Sequence, residues 1–244
     1  MKFVLDCHVH TIASGHAYST FMDYVGEAKK KGLELIALTD HGPKMPGGPN
    51  EFHIINQIVI PEVIDGIRVL KGIEANIIGF DGSVDVPERA YPRLDLIIVG
   101  FHDVVFKPGT KEQNTEAFLK AMENEMIDII AHPGNPKVPV DNEALVLGAK
   151  KYNKIIEINN ASFLTTKSRA GSKENCYEIA RLCNKHGVKM IAGTDSHVHF
   201  DLGVFNNSIK VFEEVGVDEE LIMNTSAQKL VDYLNTKGRS IKVK

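Results

Sequence analysis

The sequence predicts an α/β fold built as a single barrel, and three observations carry that expectation. Short, nearly continuous apolar runs alternate with longer amphipathic stretches, the pattern of parallel strands covered on both faces by helices. The length of 244 residues suits one α/β barrel, which folds as a single domain at this size. Histidines repeatedly follow the apolar runs, where a parallel barrel gathers its functional residues. A doubly wound open sheet is the competing arrangement.

Taken in order, seven runs read as strands: FVLD (3–6), LELIALTD (33–40), IRVLKGIEA (67–75), LDLIIVGF (94–101), MIDIIAH (126–132), NKIIEINN (153–160) and VKMIAGTD (188–195). Between them, residues 20–32, 111–125, 140–153 and 173–187 show helical spacing of apolar residues. Gly32 and Gly187 stand where a helix-ending glycine belongs, with basic residues in the preceding turn. Beyond residue 203 further helices are expected, including 225–238, which Thr225 or Ser226 would cap. The loop GPKMPGGPN (42–50) follows the second strand, where an active-site loop belongs. No linker, low-complexity tract or repeat interrupts residues 1–244, so one domain is expected.

At 43% hydrophobic and 25% charged residues, the composition is that of a soluble globular protein. A net charge of −4 offers no general attraction to nucleic acid or acidic membranes. There is no signal-type apolar region and no run of membrane-spanning length. Cys7, Cys176 and Cys183 are too few and scattered for a disulfide framework, and the last two share a helix face. These features fit a cytoplasmic location.

The stretch HVHTIASGH, directly after the first apolar run, holds His8, His10 and His16. On an extended strand alternate side chains share a face, so His8 and His10 form a pincer suited to a metal. The pattern recurs at later strand ends: His41 in LTDH, Glu74 in GIEA, His102 in VGFH, His132 in IIAH, and Asp195 with His197 in GTDSH. In a parallel barrel these ends meet round one mouth, so seven of the ten histidines converge there with two carboxylates. Separate capping or packing roles explain any one of them, but not the set. Of the remaining three, His186 ends a helix, where partial charge favours the dipole, and His53 is a surface loop residue. His199 follows the last cluster, as a loop residue or a substrate contact.

Nine candidates exceed one metal site. Three ions sharing them leave three ligands each, with open positions for water or substrate, as in catalytic sites. Glu74 is the best bridge, because a carboxylate joins two ions and an imidazole does not readily do so. Imidazole-dominated ligation favours zinc, with manganese or iron as alternatives, over calcium or magnesium. Three divalent ions outweigh the charge of Glu74 and Asp195, so the pocket calls for an anion. A phosphoester attacked by a metal-activated hydroxide suits that electrostatics.

Together HVH, TDHG, GIEANI, GFH, AHPGNP and GTDSH resemble the motifs of the polymerase and histidinol phosphatase (PHP) family of metal-dependent phosphoesterases. In order and spacing they are most similar to its small bacterial phosphatases of the YcdX type, from residue 3 to about 205. The resemblance implies a distorted (β/α)7 barrel with a trinuclear metal site at the C-terminal ends of the strands. It implies that His8, His10, Glu74 and Asp195 hold one ion. Glu74 would bridge to a second held by His102 and His132, and His16, His41 and His197 would hold the third. INNASFLTTKSRAGSKEN (158–175) resembles the family's loop after the sixth strand, whose arginine, here Arg169, is placed to meet phosphate. Glu74, Asp195 and Arg169 are thus expected to carry the chemistry.

The expected activity is phosphatase action on a small phosphomonoester, with neither nucleic acid nor membrane as partner; a homo-oligomer is compatible with it. An amidohydrolase barrel also begins with HxH, but such barrels usually carry a carboxylated lysine where this chain has His102. A PHP-type exonuclease or phosphodiesterase needs a basic, often aromatic-lined track. This chain has no Trp and no basic cluster larger than KKK at 29–31. A non-catalytic metal-binding protein has no need of open coordination positions or of Arg169.

Overall fold

A computed structural model describes residues 1–163 and 169–243, so residues 164–168 of the loop expected to face phosphate lie outside the described residues. In chain order the strands are β1 (Leu5–Asp6), β2 (Leu35–Leu38), β3 (Val63–Ile64), β4 (Ile67–Asn76), β5 (Leu96–Gly100), β6 (Ile129–Ile130), β7 (Ile155–Asn159) and β8 (Met190–Gly193). All but β3 run parallel, in the order β1-β2-β4-β5-β6-β7-β8, and β3 forms an antiparallel hairpin with β4. The sheet curls until its two edges meet, so the barrel, not the open sheet, is the fold.

The seam between β1 and β8 is not a full ladder. Val9 bridges Ser196, buried Asp6 accepts from Thr194 N at 3.3 Å and from Thr194 Oγ1, and buried Asn224 joins the strands themselves. Its side-chain oxygen accepts from Ala192 N at 2.6 Å, and its amide donates to Leu5 O at 3.2 Å and Ala192 O at 2.9 Å. A single side chain thus satisfies backbone groups on both edges, which burial would otherwise leave unpaired.

The helices are α1 (Phe21–Lys31), α2 (Glu51–Ile55), α3 (Lys111–Met122), α4 (Asn142–Lys151), α5 (Ser172–His186), α6 (Asn206–Val215) and α7 (Ala227–Asn235). Thr20 and Thr110 open α1 and α3 through capping boxes, and left-handed Gly32 and Gly187 close α1 and α5 as expected. Ser226, not Thr225, caps α7. The short α2 and β3 were not expected, because they are too brief to show a hydrophobic period.

Inward-facing Leu5, Leu35, Leu70, Leu96, Ile129, Ile155 and Ile191 form the barrel interior, and Leu230, Val231 and Leu234 of α7 plug its N-terminal end. The opposite face of the strands, with Ile73, Ile97, Ile130 and Ile156, packs with Phe118, Ile179 and Phe212 of the helices. Among the described residues the plug closes that end and leaves the C-terminal ends of the strands to form the mouth. No helix among the described residues is long and apolar enough to cross a membrane.

Beside the plug lies a buried ionic cluster. Asp128 accepts from Lys237 Nζ at 3.1 Å, Arg239 Nη2 at 3.0 Å and Ile97 N at 2.9 Å. Lys154 donates to the carbonyls of Asn124 and Ile127, both at 2.7 Å. Burial, reinforced by the Lys237 ammonium, pushes Lys154 down to about 7 from 10.5. Between those values the unfolded chain binds more protons at this residue, so its contribution makes stability rise with pH. The melting-temperature difference between wild type and Lys154→Met should therefore grow from pH 7 towards 10.5. A difference that stays flat in calorimetry would contradict this.

Candidate metal centre

The strand order delivers the site. His8 and His10 follow β1, His41 follows β2, Glu74 lies near the end of β4, His102 follows β5, His132 follows β6, and Asp195 and His197 follow β8. Glu74 is completely buried at the centre of this ring. Its Oε1 lies 3.3 Å from His8 Nε2, 3.3 Å from His102 Nε2 and 2.8 Å from His132 Nε2. Its Oε2 lies 3.5 Å from His10 Nε2 and 2.7 Å from His41 Nδ1. Asp195 Oδ1 closes the ring, 3.2 Å from His10 Nε2 and 3.6 Å from His8 Nε2.

Five imidazoles crowd one carboxylate, yet only the His132 Nε2 contact with Glu74 Oε1, at 2.8 Å, is a hydrogen bond. His8 Nε2, His10 Nε2, His41 Nδ1 and Glu74 Oε2 are buried without a hydrogen-bond partner, the close His41 contact lying outside hydrogen-bond geometry. The outward nitrogens are already engaged: His8 Nδ1 meets Glu157 at 2.6 Å, His102 Nδ1 meets Asn76 at 2.8 Å, and His10 Nδ1 meets Ser14 at 3.3 Å. With its outer nitrogen donating to Ser14, the neutral ring of His10 aims its inward lone pair at carboxylate oxygens. That is unfavourable unless a cation stands between them. The spacing agrees, since tetrahedral ligands about 2.0–2.1 Å from zinc stand roughly 3.3 Å apart. His8, His10 and Glu74 converge as one potential ligand group, and His41, Glu74 and His102 as another. The residues present fit divalent metal.

Electrostatics points the same way. Burial alone would raise Glu74 and Asp195, but the surrounding imidazoles, with Arg169 for Asp195, hold both well below the usual carboxylate range. Burial, together with His41, lowers His10 to about 3, keeping its ring neutral. For His8 the opposing carboxylates Glu157, Asp195 and Glu74 outweigh burial and raise it well above its ordinary value. The backbone is strained at the same place: His132 and Asp195 hold φ of 31° and 53°, a region that costs energy for residues other than glycine.

The structure brings eight of the nine expected ligands into the buried ring or its edge. His16 is exposed, with its ring centroid 5.0 Å from that of His41 and 4.8 Å from that of His197. Arg169 donates to Asp195 and, at 2.9 Å, to Asn159 Oδ1. The mouth is a cavity of about 420 Å3 whose walls include Arg169, Met45 and Pro46 of the 42–50 loop, and Val104. Of the other histidines, His199 meets Ser19 at 2.9 Å, His186 meets Glu143 at 3.4 Å, and exposed His53 stands 3.8 Å from Asp40.

One functional carboxylate escaped the sequence reading. The sixth expected strand, observed as β7, carries none of the nine expected ligands. Its Glu157 is in fact buried against it, with Oε1 on His8 and Oε2 accepting from His132 N at 2.8 Å. Gly193 makes this possible, because a Cβ there would stand 1.9 Å from Glu157 Oε1. The pairing of NKIIEINN with the glycine of IAGTD was the only available signal, and it requires the β7–β8 register.

These features define the class: a nearly closed parallel barrel whose mouth presents histidines and carboxylates fit for divalent metal. The PHP domain family matches residues 6–234, and the chain belongs to that family. It is 50% identical over 244 residues to a probable phosphatase of Acetivibrio thermocellus, covering 100% of both chains. It is 49% identical over 242 residues to a probable phosphatase of Thermoanaerobacter sp. (strain X514), covering 99% of this chain and 98% of that one. The fold is similar to a crystal structure of histidinol phosphate phosphatase from Lactococcus lactis complexed with zinc, L-histidinol and phosphate. That match has a TM-score of 0.57 and 18% identity over 88% of this chain and 94% of the other.

Proposed function

We propose that the chain is a metal-dependent phosphatase that hydrolyses a small phosphomonoester at a trinuclear centre. The observation that carries this reading is the set of buried, unpartnered nitrogens of His8, His10 and His41 facing Glu74. Half-identical relatives named probable phosphatases place the chain among hydrolases of phosphoric esters. In this reading His8, His10, Glu74 and Asp195 hold one ion, Glu74 with His102 and His132 a second, and His16, His41 and His197 a third. Zinc, as in the Lactococcus lactis protein, is the favoured metal, with manganese or iron as alternatives. Bound there, the ions would polarise the phosphoryl group and acidify the attacking water.

The chain's own residues do the rest. Glu157 fixes the tautomer and orientation of His8, while Asn76 and Ser14 do the same for His102 and His10. Arg169, at the wall of the mouth, keeps guanidinium donors available beyond those given to Asp195 and Asn159 and meets the phosphate oxygens. Met45, Pro46 and Val104 offer apolar contact to the organic part of the ester.

Activity on p-nitrophenyl phosphate should vanish on exhaustive chelation and return with zinc or manganese, and elemental analysis should find about three ions per chain. Single-stranded DNA should be a poor substrate. A rate that survives chelation would sink the proposal, and one ion or fewer after reconstitution would sink its trinuclear form. Arg169→Ala should retain its metal yet lower kcat/KM roughly ten-fold or more, since charge-assisted hydrogen bonds contribute about 1.5–3 kcal/mol. Arg169→Lys should recover little, because a point charge lacks the planar fork. Wild-type kinetics in the alanine variant would return Arg169 to a purely structural role.

Glu157→Gln tests the support behind His8. An amide can donate to Nδ1 and so select the wrong tautomer, and loss of such outer partners typically costs about 10–100-fold in metal affinity. Chelator titration of the purified variant reads this directly. Unchanged retention of every ion would rule out the orienting role.

A further inference from the structure

A cavity larger than the metal mouth lies elsewhere on the barrel. It measures about 910 Å3 and opens on the flank of the barrel, between the start of α1, α2 and the segment 89–93. None of its lining residues lines the mouth. The turn at Gly15 and the loop at Gly47 separate the two, packed so closely that a Cβ on Gly15 would stand 2.1 Å from Gly47 O.

Its walls are chemically uneven. Buried Leu38 and Ile55 lie among its lining residues, and Ile12, Phe52 and Val59 form an apolar rim, 57%, 74% and 68% exposed. Large side chains left this exposed around a concavity mark a binding surface more often than a bare one. Arg89 and Arg93 supply the charge. Arg68, Arg169 and Arg239 pair with Glu62, Asp195 and Asp128, but Arg89 and Arg93 pair with no carboxylate among the described residues. The one carboxylate on the wall, Asp40, is spoken for: it accepts from Thr11 N, Thr11 Oγ1 and Ser14 Oγ, each at 2.7 Å. The volume lies within the usual small-molecule range of about 300–1,000 Å3.

We propose that this cavity is a second binding site, for a small carboxylic acid with an apolar body. The body fills the space between Phe52, Ile55 and Val59, and the carboxylate is held by the guanidinium forks of Arg89 and Arg93, whose planar donors match it. The site stands apart from the metal chemistry, but Thr11 and Asp40 on its wall are chain neighbours of His10 and His41. Its occupancy is therefore placed to influence the mouth.

Isothermal titration of the metal-loaded protein with decanoate tests the proposal, with decyltrimethylammonium as the cation of equal chain length. Decanoate should bind once per chain and the ammonium should not. Arg89→Ala/Arg93→Ala should weaken decanoate binding at least about ten-fold, with metal content unchanged. Val59→Glu, which sets a carboxylate at the exposed rim, should weaken it as well. Saturating inorganic phosphate should leave decanoate bound, which separates this site from the metal centre and from any failure of the phosphatase reading. The proposal is overturned by absence of binding, equal binding of the two probes, full affinity in the arginine variant, or displacement by phosphate. It is also overturned if sedimentation shows self-association that Val59→Glu abolishes, because the rim would then belong to a second copy of the chain.

Discussion

Glu74→Gln should remove two metal ions together and reduce phosphomonoesterase activity by about three orders of magnitude. Glu74 lies within 3.5 Å of nitrogens from His8, His10, His41, His102 and His132, so no other side chain touches so much of the centre. Glutamine preserves its shape while removing the negative charge and one acceptor oxygen. A neutral amide bridges two cations poorly, and the imidazoles around it would face each other with less compensation. Loss of several kcal/mol of charge stabilisation corresponds to the stated drop, at about 1.4 kcal/mol per factor of ten. Elemental analysis with single-turnover kinetics checks both halves. Loss of one ion only would make Glu74 an ordinary terminal ligand, and near-normal activity would remove it from the chemistry.

The largest effect on stability is expected far from the mouth. Asp128→Ala should destabilise the fold by about 3–5 kcal/mol, because it leaves buried cations without their counter-charge. In a chain of this size that corresponds to a fall in Tm on the order of 10 °C. The residues left behind are Lys237 and Arg239, with side chains 10% and 6% exposed. Asp128→Asn should recover only a minor part, since it retains an acceptor for Ile97 N but not the charge. Thermal unfolding in the presence of saturating metal isolates this effect from the centre. A fall of no more than about 2 °C would mean that the tail residues relax into water at little cost.

The barrel and most of its mouth were legible for a common physical reason. Strands buried on both faces must be apolar along their length, so a polar residue at the end of such a run stands out. His41, His102 and His132 were visible in this way without any knowledge of their neighbours. Glu157 was not, because it lies inside an apolar run and its meaning depends on Gly193 across the sheet. Asp128 has the same difficulty: its partners Lys237 and Arg239 follow more than a hundred residues later and read as ordinary surface charges. The flank cavity was equally hidden, since Arg89 and Arg93 meet Phe52 only through the folded chain. Periodicity exposes what one element requires of its own residues, whereas contacts across elements need the register.

The incomplete seam between β1 and β8 has a consequence for how the molecule opens. Every other junction of the barrel is a run of backbone hydrogen bonds, while this one depends on the side chains of Asn224 and Asp6 and a bridge between Val9 and Ser196. It is the natural crack line of the cylinder, where amides should exchange first with solvent. His8 and His10 stand on one lip and Asp195 and His197 on the other, joining the two ends of the chain's long loop. An ion shared by His10 and Asp195 would act as a removable rivet: it would close that loop at a cost that grows only slowly with length. Amide exchange at Ala192, His10 and Ser196, whose N–H groups donate at the seam, should then slow as the protein is titrated with zinc, making the metal a gauge of how tightly the barrel is shut.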